Sequence, residues 1–193
     1  ETHHGLYDAA YLDSIPNMTV LSPSSFAELE VMLERALFRI SGPVAVRYPR
    51  GGEGRYLGTG GEDPAVILRW GQDITLVSYG VQINQILDAA DLLEQQGVQA
   101  EVVKLNQLTP LVPEVIERSI RKTGALLIAE EQGARGCVGQ RLAARLELAG
   151  LPAKVCLVNC GESFVSHGAS AVLRRDLSLD GGGLAMKALE VLG

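Results

Sequence analysis

Several groups of side chains in this sequence have the type and spacing to do chemistry. The first is Arg50, in the run Pro43-Val44-Ala45-Val46-Arg47-Tyr48-Pro49-Arg50-Gly51. Val44 to Val46 read as a short buried strand, apolar on both faces as a central parallel strand is. Pro49 has no N–H to give to a ladder, so the strand must stop by Tyr48. Gly51 and Gly52 then free the backbone to turn. Arg50 therefore lies just past the carboxyl end of a strand, where open α/β sheets bind ligands. Its planar fork suits a phosphate or a carboxylate. The plainer alternative is a surface pair with a loop acid. The second group is His3 and His4, neighbours in a polar turn. Either can shuttle a proton or stabilise charge beside a phosphoryl group. No His or Cys clusters with them as a metal pair would need. The third group is Glu130-Glu131, followed by Gly133, Gly136 and Gly139. That glycine spacing is not the dinucleotide fingerprint and reads as a tight strand-to-helix turn. In extended backbone the two acids point to opposite sides. They read as loop anchors accepting backbone N–H bonds, with a general-base pair as the alternative. His167 reads as the start of a helix, and Tyr48 as a packed side chain.

The elements that must position these residues follow from the apolar pattern. Met18 to Leu21 predicts a short strand, and Ser22-Pro23-Ser24-Ser25 opens a helix, with Ser25 and Glu28 at capping-box spacing. Phe26, Leu29, Leu33, Ala36, Leu37 and Ile40 form one apolar stripe on it. Gly42-Pro43 ends it, and the strand that delivers Arg50 follows. Gly51, Gly52, Gly54, Gly58, Gly60 and Gly61 then crowd into a linker expected to be a mobile hinge. The domain boundary is placed there: residues 1–54 before it, 55–64 as linker, 65–193 after it. Ala65 to Arg69 and Ile74 to Ser78 flank Trp70-Gly71-Gln72-Asp73 and predict a hairpin. Beyond Gly80, helices alternate with strands at Val98 to Leu105, Ala125 to Ala129 and Lys154 to Val158. Two short helices close the chain, the last capped by Asp180. This alternation predicts an α/β fold with a mostly parallel, doubly wound sheet and one antiparallel strand.

Composition narrows the function classes. With 193 residues and 47% hydrophobic content, the chain can build a packed core. Its net charge of −6 argues against a nucleic-acid partner bound through a basic surface. No apolar run approaches the roughly 18 residues that a membrane-spanning helix needs. Glu1-Thr2-His3-His4 does not read as a secretory signal. Cys137, Cys156 and Cys160 are odd in number and read as small buried residues in a reducing cytoplasm, not as a disulfide framework or a zinc site. A chain that opens on polar, potentially reactive residues reads as a piece of something longer.

In order, Thr2-His3-His4-Gly5, Tyr7-Asp8, Ile15-Pro16-Asn17-Met18, Ser22-Pro23-Ser24 and Val46-Arg47-Tyr48-Pro49-Arg50-Gly51 resemble the thiamine-diphosphate-dependent transketolase family. Within it they resemble the 1-deoxy-D-xylulose-5-phosphate synthases. Leu127-Ile128-Ala129-Glu130-Glu131, the glycine turn and Ser178-Leu179-Asp180-Gly181 continue the likeness. It covers nearly the whole chain, but only the last third of such an enzyme. The combination of T-H-x-G with R-Y-P-R-G is specific, and either motif alone is not. The resemblance implies the tail of a pyrimidine-binding domain followed by a complete C-terminal domain.

The activity implied is decarboxylative condensation of pyruvate with D-glyceraldehyde 3-phosphate, which feeds isoprenoid, thiamine and pyridoxal synthesis. His3 would match the family's active-site histidine, and Arg50 the arginine that holds the sugar phosphate. The implied parent is a cytoplasmic homodimer that uses thiamine diphosphate and magnesium. The residues that hold this cofactor would lie upstream of Glu1, so the chain alone is expected to bind neither. His4 stands where many members carry Gln, and Gln132 where Asn or His is usual. Two alternatives are the β-type subunit of a 2-oxo acid dehydrogenase, against which R-Y-P-R-G argues, and a catalytically silent assembly module.

Overall fold

The computed structural model describes residues 4–193. Two sheets organise it. The larger has five strands in the order β3-β5-β4-β7-β8. These are Ala65–Arg69 (β3), Ala100–Leu105 (β5), Ile74–Tyr79 (β4), Ala125–Ala129 (β7) and Lys154–Val158 (β8). β5, β4, β7 and β8 run parallel, and β3 lies antiparallel on β5. The smaller sheet has the order β2-β1-β6, from Val44–Val46 (β2), Thr19–Leu21 (β1) and Gln107–Thr109 (β6). β1 is parallel to β2 and antiparallel to β6. Asn106 alone separates β5 from β6, so one run of chain crosses from one sheet to the other. The Asn106 carbonyl accepts from Ser22 N–H at 2.9 Å, and its amide donates to Asp63 O at 2.8 Å. A buried side chain that must leave its ladder is satisfied there.

The period-two alternation of the central strands sorts the core into two layers. Leu76, Val102, Leu127 and Ala129 face helices α3 (Ile83–Glu94) and α7 (Gly181–Leu192). Val77, Val103, Leu126 and Ile128 face α4 (Glu114–Thr123) and α5 (Val138–Leu148). Ile83, Ile86, Ala90 and Leu93 recur at helical spacing and are fully buried, which seats α3 on the sheet. Gly124, at φ +65°, ends α4 in the left-handed conformation that glycine reaches without a Cβ clash. Asp180 caps α7 by accepting from Gly183 N–H at 3.2 Å.

Several expectations change. β3 does not form a hairpin with β4. β4 takes its neighbours from β5 and β7, and β3 is displaced to the far side of β5. The tight loop at Trp70–Asp73 sets chain direction but not partner: β4 pairs in parallel with β5 on one side and β7 on the other. β2 is not a central strand but the edge of the small sheet, with Val44, Ala45 and Val46 only half-buried. Helix α2 (Phe26–Phe38) turns Glu28 and Met32 inward, while Phe26, Leu37 and Phe38 are 58%, 72% and 78% exposed. On its inward face Glu28 is held in a buried ion pair with Lys104 of β5. Tyr48 is also exposed rather than packed.

The glycine-rich linker is tied down rather than left free. Tyr56 O–H donates to Glu28 Oε1 at 2.7 Å, and Tyr56 N–H to Asn84 Oδ1 at 2.9 Å. Arg55 pairs with Asp88 and Asp91 of α3, and Arg35 donates to Gly61 O at 3.2 Å. Glycine content predicts what a backbone can do; side-chain anchors decide what it does.

Candidate functional site

β2 runs out at Val46, and Arg47 N–H donates to Leu21 O at 2.8 Å as the last rung of the ladder. From there the two arginines of R-Y-P-R-G part company. Arg47 turns inward. Its Nε donates to both oxygens of Asp8 at 3.0 Å, and its Nη2 to Gly5 O at 3.1 Å and Glu131 O at 3.3 Å. It also lies over the Tyr79 ring, 5.8 Å from the centroid. Burial opposes its charge, but the carboxylates of Asp8 and Glu131 more than offset this, so its pKa stays above the ordinary value. Asp8, in α1 (Asp8–Asp13), also accepts from Gln132 Nε2 at 2.7 Å. Arg47 is thus the rivet that joins α1, the end of β2 and the end of β7.

Arg50 turns outward. It lies on the bend after β2 and lines a cavity of about 580 Å³. His4, Glu131, Cys160 and Arg174 line the same cavity. Among the described residues no group hydrogen-bonds to the Arg50 guanidinium. An exposed loop arginine paired with a surface acid would look different. His3 lies outside the described residues. His4 places its ring 5.3 Å from that of His167, tilted by 47°, and its Nδ1 is buried with no partner among the described residues. His167, read as the start of a helix, also packs against the residue next to His3.

The adjacent acids separate as extended backbone requires. Glu130 is fully inside and accepts from Tyr79 O–H at 2.7 Å, Val138 N–H at 3.0 Å and Gly139 N–H at 2.8 Å. A carboxylate there satisfies two orphan donors of α5 and complements its dipole. Burial, with Glu130 adding to it, pushes the Tyr79 hydroxyl well above its usual range, so it stays a neutral donor. Glu130 is an anchor, as read from the sequence. Glu131 points the other way and pairs with Arg174 at 2.7 Å. Cys160 lines the cavity, but burial, with Glu131 and Glu130 adding to it, pushes its thiol up to about 11, leaving no thiolate to act as nucleophile.

The glycine turn is structural, and its third member has the tightest surroundings. A Cβ on Gly139 would meet Glu130 Oε1 and Ile128 Cγ2 at 2.8 Å and Leu157 Cδ2 at 2.9 Å. Gly139→Ala should therefore cost about 1–3 kcal/mol, the range for overpacking, read as a lower urea midpoint at unchanged m-value. An unchanged midpoint would show that α5 shifts freely against β7.

Sequence reasoning missed Arg47 and Arg174. Arg47 sits in a recognised motif but reads no differently from Arg50 without the fold. Arg174 is 43 positions from its partner Glu131 in the chain and carries no local signal.

Comparison with known proteins fits this geometry. The family profile "Transketolase, C-terminal domain" matches residues 63–182, and "Transketolase, pyrimidine binding domain" matches residues 1–52. A protein of Heliobacterium modesticaldum named 1-deoxy-D-xylulose-5-phosphate synthase is 38% identical over 99% of this chain and 30% of its own length. The protein of that name from Thermomicrobium roseum is 35% identical over 99% of this chain and 31% of its own length. The chain thus spans about 30% of the length of these curated relatives. Among solved structures, a split-gene transketolase described as an inactive beta4 tetramer superposes with a TM-score of 0.89 at 28% identity, over 98% of this chain and 62% of that one. A Pichia stipitis transketolase, at 18% identity and a TM-score of 0.76 over 99% of this chain and 27% of its own, shares the fold. A five-stranded mixed sheet, a short three-stranded sheet that joins the two matched regions and two matching profiles lead to one conclusion: the chain belongs to the transketolase family.

Proposed function

We propose that this chain is the C-terminal part of a 1-deoxy-D-xylulose-5-phosphate synthase and supplies the side of the active site that holds the acceptor's phosphate. The observation that carries this reading is Arg50. It presents an unpartnered fork to a cavity next to His4, in a chain 38% identical to a protein of that name. In this reading Arg50 binds the phosphate of D-glyceraldehyde 3-phosphate, and His3 meets the reacting hydroxyls. Pyruvate is the donor and carbon dioxide leaves. The parent is a cytoplasmic homodimer, and the rest of the parent is this chain's first partner. No described helix is long and apolar enough to cross a membrane.

Thiamine diphosphate and magnesium supply the parent's carbanion chemistry. Among the described residues no three His, Cys, Asp or Glu side chains gather where a metal could sit; in this reading the rest of the parent holds both groups. The test has two readouts. The parent polypeptide, given pyruvate and D-glyceraldehyde 3-phosphate, should release carbon dioxide and form 1-deoxy-D-xylulose 5-phosphate. Calorimetric titration of this chain alone with thiamine diphosphate and magnesium should show no saturable heat. A parent that instead moves a ketol unit between sugar phosphates would overturn the assignment, and saturable cofactor binding would overturn its division of labour.

A further inference from the structure

The cavity that receives Arg50 holds a second guanidinium. We propose that Arg174 is the second arm of an anion clamp, so that a phosphate monoester entering the cavity is gripped between Arg50 and Arg174. This rests on the reading of Arg50 as a phosphate contact and adds a residue to it.

The argument starts from how Arg174 is held. It lies on the short helix α6 (Ser170–Asp176), and its side chain is 26% exposed. Its Nε donates to Glu131 Oε1 at 2.7 Å. That bond uses the one nitrogen on the stem side of the fork. Nη1 and Nη2 are left without a hydrogen-bonding partner among the described residues. Glu131 is itself fixed, because its carbonyl accepts from Arg47 Nη2 at 3.3 Å and Arg47 is locked to Asp8. The chain Asp8–Arg47–Glu131–Arg174 therefore orients a guanidinium whose two outer nitrogens remain available. Pre-orientation of this kind lowers the side-chain entropy lost on binding.

Charge decides the ligand class. Glu131 offsets the charge of Arg174, so the pair adds aimed donors more than net charge. Glu53, the other acid lining the cavity, accepts from Phe26 N–H. A carboxylate has two oxygens and is satisfied by one fork, which Arg50 supplies alone. A phosphate monoester carries close to two charges and three terminal oxygens, and can use both forks. The cavity is thus matched to a small phosphorylated aldehyde or sugar rather than to a simple carboxylic acid.

The test uses this chain and inorganic phosphate, with acetate at equal ionic strength as the control. Arginine Nε–Hε resonances are followed during titration. Arg50 and Arg174 should move on one saturation curve with phosphate, and acetate should move Arg50 only. Arg174→Ala should weaken phosphate affinity about tenfold and leave acetate unchanged. Arg174→Lys keeps a cation on Glu131, and so the fold, but lacks the outer donors. It should weaken phosphate binding to a similar degree. If Arg50→Ala abolishes phosphate binding while both Arg174 variants bind normally, the clamp is wrong and the reading of Arg50 stands. If no arginine responds and neither substitution matters, the phosphate assignment of Arg50 falls and the clamp with it.

Discussion

Replacing Arg50 with Ala in the parent enzyme should lower kcat/KM for D-glyceraldehyde 3-phosphate by roughly 30- to 150-fold. The figure comes from the cost of losing a hydrogen-bonded contact to a charged group, about 2–3 kcal/mol, at 1.36 kcal/mol per decade of rate. The structure gives no reason for a stability loss to confuse the result, since the Arg50 guanidinium pairs with no described group and the residue is exposed. The loss should be selective. The KM for pyruvate should stay near its original value, because pyruvate has no phosphate. An unphosphorylated aldehyde acceptor should react almost as well with the variant as with the original enzyme. Arg50→Lys should recover part of the loss, since it restores charge without the fork. Equal weakening of phosphorylated and unphosphorylated acceptors would make Arg50 a structural residue.

The largest effect on stability is expected at a different place. Lys104 on β5 and Glu28 on α2 form an ion pair at 2.9 Å with both side chains fully buried. Glu28 also accepts from Ser24 N–H at 2.8 Å and Tyr56 O–H at 2.7 Å, and Lys104 Nζ bonds Asn106 Oδ1. Burial pulls the Lys104 pKa down, against the pull of Glu28. Such a pair adds little when intact, because desolvation offsets the attraction, but losing one partner strands a charge inside. Lys104→Met should therefore destabilise the chain by about 3–5 kcal/mol, a large share of the roughly 5–15 kcal/mol that a domain holds in total. Urea unfolding reads this as a midpoint shift. The Glu28→Gln, Lys104→Met double variant should recover most of the loss, because Gln still accepts from Ser24 and leaves no charge. A double variant as unstable as the single one would locate the cost in packing instead. Because the cluster joins α2, the linker and the large sheet, Lys104→Met should also speed proteolysis in residues 51–64.

The same cluster shows where sequence reading stops. Ser25 and Glu28 have capping-box spacing, and Ser25 does cap α2, accepting from Glu28 N–H at 3.1 Å. The Glu28 carboxylate, however, does not close the box on Ser25; it reaches Ser24 and the lysine 76 positions away. A local rule identified the cap but not the distant lysine that Glu28 pairs with. The hairpin expected at Trp70–Asp73 failed in a similar way. A turn signal is local, whereas strand pairing depends on which edges the rest of the sheet leaves open.

Much was nevertheless settled by local chemistry. β7 and β8 were read at their observed bounds. Strand apolarity and the 3.6-residue period do not depend on distant partners. The placement of Arg50 past a strand end followed from Pro49, which cannot continue a ladder, and that is a property of one residue. Glu130 and Glu131 were separable in advance, because adjacent side chains in extended backbone face opposite ways. What each then touched was a tertiary matter: α5 for Glu130 and α6 for Glu131. Sequence alone thus determined the fold class, the family resemblance and the position of Arg50 past a strand end, since each is written in the spacing of near neighbours. Only the tertiary structure decided that Arg47 is a rivet, that the linker is strapped, and that Arg174 shares a cavity with Arg50. Those facts depend on residues tens of positions apart meeting across a sheet, and no local pattern encodes that meeting.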